Sequence, residues 1–172
     1  MVNAKGDDSN RKSIYVTVIF VAIMIVLRLF VLRPYFVSGT SMQPTYQNGA
    51  FVMGIHHFKP TRNSIVTVAH KATDGDDVIK RLIGLPGDVI KIEGNDVYVN
   101  DKKLNEKYLI DYPDGTSFNY DGSATKTYKL NSNQYFVLGD NRLNSNDSRL
   151  FGAVNGNELE SKIIMSVAIK LR

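Results

Sequence analysis

The sequence predicts a mainly β protein of antiparallel sheets behind one N-terminal transmembrane helix. Three observations carry this reading. Ile14 to Leu32 is an apolar run broken by a single charge, Arg28. Beyond it, short runs rich in Val, Ile, Tyr and Phe alternate with clusters of Gly, Pro, Asn and Asp, the pattern of strands and turns. Two tight turn sequences, LPGD and EGND, then link consecutive runs over residues 77–100 into a meander of hairpins.

The chain has 172 residues, enough for one domain with a real core plus an appendage. Its 43% hydrophobic and 22% charged content is that of a folded protein. It has no Cys, so disulfides and thiolate metal sites are excluded. The formal net charge is +4. Most of that surplus lies in residues 1–33, where Lys5, Arg11, Lys12, Arg28 and Arg33 face only Asp7 and Asp8. A basic balance often marks a nucleic-acid binder. Placed around an apolar run it reads as membrane topology, and no nucleic-acid partner is expected.

Ile14–Leu32 would span about 28 Å as a helix, close to the thickness of a bilayer core. Arg28 lies near the far end, where a long side chain snorkels to the headgroups. Lys5, Arg11 and Lys12 favour an internal N-terminus; Arg28 and Arg33 oppose that bias. The alternative is a cleavable secretion signal processed near Ser38–Gly39, for which the run is long. The expected organisation is therefore a cytoplasmic tail over 1–13, a single span over 14–32 and an extracytoplasmic β-rich domain over 33–172, held at the cytoplasmic membrane.

Strands are expected at FVMGIH (51–56), SIVTVAH (64–70), DVIKRLIG (77–84), DVIKIEG (88–94), DVYVN (96–100) and QYFVLG (134–139). VNDKKL adds a tight turn. SKIIMSVAIKL (161–171) reads as a strand, because Ile163, Met165, Val167 and Ile169 alternate with Ile164, Ser166 and Ala168. Residues 105–132 are polar and Tyr-rich, an insertion between core strands in the manner of a small flap.

Within DVIKRLIG, Val78, Lys80 and Leu82 share one face while Ile79, Arg81 and Ile83 share the other. Two mostly apolar faces mean burial on both sides, and burial lowers a lysine pKa towards that of a neutral base. Arg81 has no such role, because guanidinium does not deprotonate in proteins. Lys91 shares its face with Val89 and Glu93 and reads as a solvated charge. A neutral lysine needs a proton to take, and Ser41 in SGTSMQPT is the natural donor. Gly39 permits close backbone approach, Pro44 stiffens the exit, and Met42 offers a pocket wall. Without that context Ser38, Thr40 and Ser41 are ordinary loop residues.

His56, His57 and His70 are the rival bases. His56 and His57 are adjacent and would face opposite ways on a strand. No G-x-S-x-G elbow or H-E-x-x-H motif accompanies them, so they read as surface residues. The stretch GDNRLNSNDSRLFG, Gly139 to Gly152, follows a strong strand yet is crowded with polar groups. It suggests a hydrogen-bonded knot in which Asp147 and Arg149 pair and Ser145 takes a buried position.

Taken in order behind one span, these segments resemble bacterial type I signal peptidase, a membrane-anchored Ser–Lys endopeptidase that removes signal peptides from exported preproteins. SGTSMQPT resembles its nucleophile box, VIKRLIGLPGD its lysine box and GDNRLNSNDSRLFG its C-terminal box. The resemblance covers about residues 14–170. It implies a signal-peptidase or SOS-repressor-like β fold, Ser41 as nucleophile, Lys80 as general base, Ser145 orienting the amine, and Asp147 with Arg149 bracing the site. It implies Met42 and Ile79 as pocket walls, preproteins and the bilayer as partners, and no cofactor or metal. Some members carry a serine two residues before the nucleophile, as an oxyanion donor; here that residue is Gly39, which leaves the Ser41 backbone N–H. The rivals are a non-catalytic β-rich binding module tethered to the membrane, and a self-cleaving repressor that residues 1–33 are too short and apolar to complete.

Overall fold

The structure, a computed structural model, describes residues 4–69, 77–113 and 115–167. Helix α1 (Ala4–Phe30) has 27 residues, about 40 Å at 1.5 Å per residue. It starts ten residues before Ile14 and stops short of Leu32, where strand β1 (Leu32–Phe36) begins. Pro34 explains the early stop. A proline pushes its predecessor towards extended backbone, and it is tolerated on an edge strand, where its missing N–H breaks no ladder. Strand β1 is such an edge, paired only with β2 (Phe51–Ile55). Among the described residues no helix is long and apolar enough to cross a membrane.

The remaining strands are β3 (Ile65–Val68), β4 (Val78–Gly84), β5 (Val89–Glu93), β6 (Asp96–Val99), β7 (Lys102–Lys103), β8 (Thr125–Lys129), β9 (Gln134–Leu138), β10 (Val154–Asn155) and β11 (Leu159–Val167). A short helix, α2 (Ser148–Phe151), lies between β9 and β10. The described strands form two antiparallel sheets, of order β1-β2-β11-β3-β4-β9-β10 and β7-β6-β5-β8. The architecture is thus mainly β, as the alternating runs predict. His70 and the last residues of the 161–171 strand lie outside the described residues.

Three expectations are corrected. The run 77–100 is not one meander: β4 belongs to the larger sheet and β5 to the smaller, so the Leu85–Asp88 turn carries the chain between sheets. EGND does form a hairpin, with Glu93 opposite Asp96. The 105–132 segment is more than a flap, because it contains β8, paired along β5 from Val89↔Lys129 to Glu93↔Thr125. It also sends Phe118 into the core and ends on the buried Leu130. Finally, His56 and His57 lie just beyond β2, where His57 takes φ 55°, so their rings meet edge-on at 4.3 Å instead of facing apart.

Strand β4 sits between β3 and β9, with Val66 opposite Lys80 and Arg81 opposite Leu138. Its two faces join two cores. Leu82 packs with Val66, Val68, Val137 and Leu159. Ile83 packs with Ile90, Ile92, Phe118 and Phe136. A strand buried on both faces is a rigid support, and it delivers Lys80 and Arg81 into dry surroundings.

Candidate active site

The loop carrying Ser41 is closed at its base by two backbone bonds, Val37 N to Ala50 O at 2.9 Å and Gly49 N to Val37 O at 2.8 Å. Its tip is a tight turn, in which Gln43 N donates to Thr40 O and Tyr46 N to Met42 O. Asn141 N donates to Ser41 O at 2.9 Å, and Asn144 Nδ2 donates to Thr40 Oγ1 at 2.7 Å. The polar segment after β9 therefore holds the Ser41 loop at the Ser41 carbonyl and the Thr40 hydroxyl.

Lys80 reaches this loop from the centre of the sheet. Its Nζ lies 2.7 Å from Ser41 Oγ, and the residue is 3% exposed. Burial pushes the amine down from 10.5 to about 8. Asp147 opposes that shift, Arg149 adds to it and Asp140 opposes it. Desolvation is the largest influence because an ammonium loses hydration that no carboxylate among the described residues replaces by direct contact.

Beside the pair opens a cavity of about 220 Å³. One wall is the stretch Tyr35–Ser38, the other Asp77–Ile79, with Ser41, Met42, Thr67 and Lys80 completing it. Met42 and Ile79 thus line one cleft together, and Met42 is fully buried against it.

Arg81, excluded above as a base, proves to be a strut. Its Nε and Nη2 donate to Asp140 Oδ1 and Oδ2 at 2.8 and 2.6 Å. Thr45, four residues past Ser41, donates to the same carboxylate at 2.5 Å. This ties β4, the Ser41 loop and the polar segment into one unit. The signal for it lay in the strand pattern: an arginine among apolar neighbours on a buried strand demands an anion.

Asp147 and Arg149 pair as expected, with Arg149 Nε to Oδ1 at 2.8 Å and Nη2 to Oδ2 at 2.7 Å. Asp147 also accepts from Gly139 N at 3.0 Å and from Arg149 N at 3.2 Å, capping α2. Ser145 is brought to the site but does not make the contact expected of it. Its Oγ is buried with no hydrogen-bond partner among the described residues, so it does not orient the Lys80 amine here. No added methyl group fits at Gly139, where a Cβ would stand 2.1 Å from Ser145 Oγ and 2.6 Å from Ser41 O. His56 and His57 line a separate cavity of about 370 Å³ with Tyr135 and Glu160.

The chemical content is a buried amine of lowered basicity against a hydroxyl, beside a partly apolar cleft. That suits acyl transfer by a serine nucleophile.

Comparison with known proteins places the chain in a family. Residues 10–168 match the model of the family described as signal peptidase, peptidase S26. Signal peptidase I U of Bacillus subtilis is 35% identical over 162 residues, spanning 86% of this chain and 84% of the relative. Signal peptidase I of Bacillus caldolyticus is 40% identical over 158 residues, 84% and 85% of the two chains. The crystal structure of a signal peptidase I from Enterococcus faecalis superposes with a TM-score of 0.54 at 31% identity. It covers 62% of this chain and 98% of that one. With relatives this similar over most of both chains, and a family match running from residue 10 to residue 168, the chain belongs to the signal peptidase family, peptidase S26.

Proposed function

We propose that this chain is a membrane-anchored serine endopeptidase that cleaves signal peptides from preproteins, with Ser41 as nucleophile and Lys80 as general base. The observation that carries the assignment is the 2.7 Å approach of a buried lysine Nζ to a serine Oγ. Ser41 Oγ attacks the scissile carbonyl carbon while its proton passes to the neutral Lys80 amine. The Ser41 N–H, which donates to no protein group among the described residues, is free to hold the oxyanion. Such a donor lowers the barrier by about 3 kcal/mol. As the C–N bond breaks, Lys80 returns the proton to the leaving nitrogen. Water then gives a proton to Lys80 and adds to the acyl carbon; as the ester C–O bond breaks, Lys80 passes that proton to Ser41 Oγ, and the acid product and free enzyme are released.

The cleft supports an extended substrate between Tyr35–Ser38 and Asp77–Ile79, which take in the end of β1 and the start of β4, backbone able to pair with a peptide. Its modest volume suits small side chains next to the cleaved bond, against Met42 and Ile79. Asp147 and Arg149 brace the site. The anchor in this reading is the apolar run Ile14–Leu32, which lies largely within α1 and exposes Ile14, Val18, Phe20 and Ile25 along its sides; the support for it is the sequence, since no described helix alone is long and apolar enough to cross a membrane. Basic residues ahead of the run favour a catalytic domain outside the cytoplasm.

The test is incubation of the purified chain in detergent with a labelled preprotein, with product masses read directly. The reading expects one cut at the end of the signal peptide, and none with Ser41→Ala or Lys80→Ala. Cleavage by either variant at the wild-type rate contradicts the assignment.

A further inference from the structure

The Tyr-rich segment that follows β7 has no part in the chemistry above, yet its first residues grip the site from behind. Arg142 is fully buried, and its partner is the carboxylate of Glu106. Arg142 Nη1 donates to Glu106 Oε2 at 3.1 Å, Nη2 donates to Oε1, and Nε donates to Gly139 O at 3.0 Å. The Tyr108 hydroxyl donates to Glu106 Oε1 at 2.7 Å. The ring of Tyr108 lies 3.8 Å from the guanidinium carbon of Arg81. Tyr112 accepts from Arg142 N at 2.9 Å through its hydroxyl oxygen.

These contacts have two ends. One is Arg81, next in sequence to the proposed base. The other is the turn Gly139–Arg142, in which Asn141 N holds Ser41 O and Asp140 holds Arg81. We infer that Glu106 and Tyr108 are positioning residues, a clasp that sets the approach of Ser41 to Lys80 by fixing Arg142 and Arg81 at once. The inference rests on the Ser41–Lys80 reading. Neither residue lines the cleft. Substrate binding is therefore separable from the alignment the clasp provides. Small misalignments of reacting groups cost rate far more than affinity.

The test uses the full chain in detergent, with steady-state cleavage of a labelled preprotein by Glu106→Ala, Glu106→Gln and Tyr108→Phe. Hydrogen–deuterium exchange over residues 38–48 and over β3 accompanies it. Glu106→Ala should lower kcat about tenfold or more while KM stays within about twofold. Glu106→Gln keeps an acceptor for Arg142 and should recover part of that loss. Tyr108→Phe should lower kcat by a few-fold while keeping its ring on Arg81. Exchange over 38–48 should quicken in Glu106→Ala with β3 unchanged. Unchanged kcat in Glu106→Gln and Tyr108→Phe overturns the inference, and so does a rise in KM alone or faster exchange in both segments. The two milder variants decide the matter if Glu106→Ala does not fold. Activity in Ser41→Ala, by contrast, removes the dyad reading itself and the inference with it.

Discussion

Lys80 Nζ and Ser41 Oγ meet at 2.7 Å although 39 positions separate them in the chain. The lysine stands on a strand buried on both faces, and the serine on a loop pinned by Asn141 and Asn144. Sheet and loop are then locked together by Arg81, Asp140 and Thr45. The contact is thus held by groups other than the two that the proposed mechanism uses.

Activity should follow the fraction of neutral Lys80. With its amine near 8, the rate should rise about tenfold per pH unit below that value and level off above it. Initial cleavage rates between mildly acidic and alkaline pH measure this directly. A flat profile contradicts a neutral-amine base.

The same burial has a cost in stability. The folded pKa, about 8, lies below the ordinary 10.5. Below the folded value both states are protonated and the fold bears the whole cost of a dry ammonium. Between the two values the unfolded chain binds more protons, so stability rises with pH. Above both the cost is gone. Lys80→Met should therefore stabilise the inactive protein by ~3 kcal/mol at neutral pH, and the gain should vanish in strong alkali. Denaturant unfolding of both proteins across that range is the check; a destabilised Lys80→Met at neutral pH contradicts it.

Gly139→Ala should inactivate without touching either dyad residue. The new methyl would press on the buried Ser145 and on the Ser41 carbonyl, which Asn141 N holds in place. We expect a fall in kcat of about a hundredfold and a stability loss of ~1–3 kcal/mol. Cleavage kinetics and melting of the variant report both, and a wild-type kcat refutes the packing argument.

Asp140→Ala should be among the most destabilising single changes, by ~3–5 kcal/mol, because it leaves Arg81 buried without its carboxylate. Pairing it with Arg81→Leu should recover much of that loss, since two apolar groups replace two ions. Unfolding of the two single variants and the double variant yields the coupling. Full additivity would mean that the pair does not act as a unit.

What could be read from the sequence follows from what is local. Strand β4 was legible because Val78, Leu82, Ile79 and Ile83 make both faces apolar, and the same pattern exposed Lys80 as a dry lysine. Strand β1 was hidden because it overlaps the end of the apolar run at Leu32 and Arg33 reads as that run's charged flank, so only Pro34 marks the change of backbone. Strand β8, TKTYK, was hidden because one of its faces meets solvent and the other contributes little beyond Tyr128. The Leu85–Asp88 turn has the residues of a hairpin, and packing alone decides which sheet the next strand joins. The boxes around Ser41, Lys80 and Asp147 were visible through family resemblance. The strand pattern showed that Arg81 needs an anion but not that Asp140 supplies it, and the Glu106–Arg142 pair was hidden altogether, since partners 59 and 36 positions apart leave no local trace of each other. Ser145 is the converse case, a role implied by resemblance and an unpartnered hydroxyl in the structure.

Direct titration of the Lys80 side chain by heteronuclear NMR, in the full chain with selectively labelled lysine, reaches the central point. A midpoint near 8, well below those of Lys91 and Lys103, is the predicted result. A midpoint at the ordinary lysine value would leave Ser41 facing a permanent cation, with no base to take its proton.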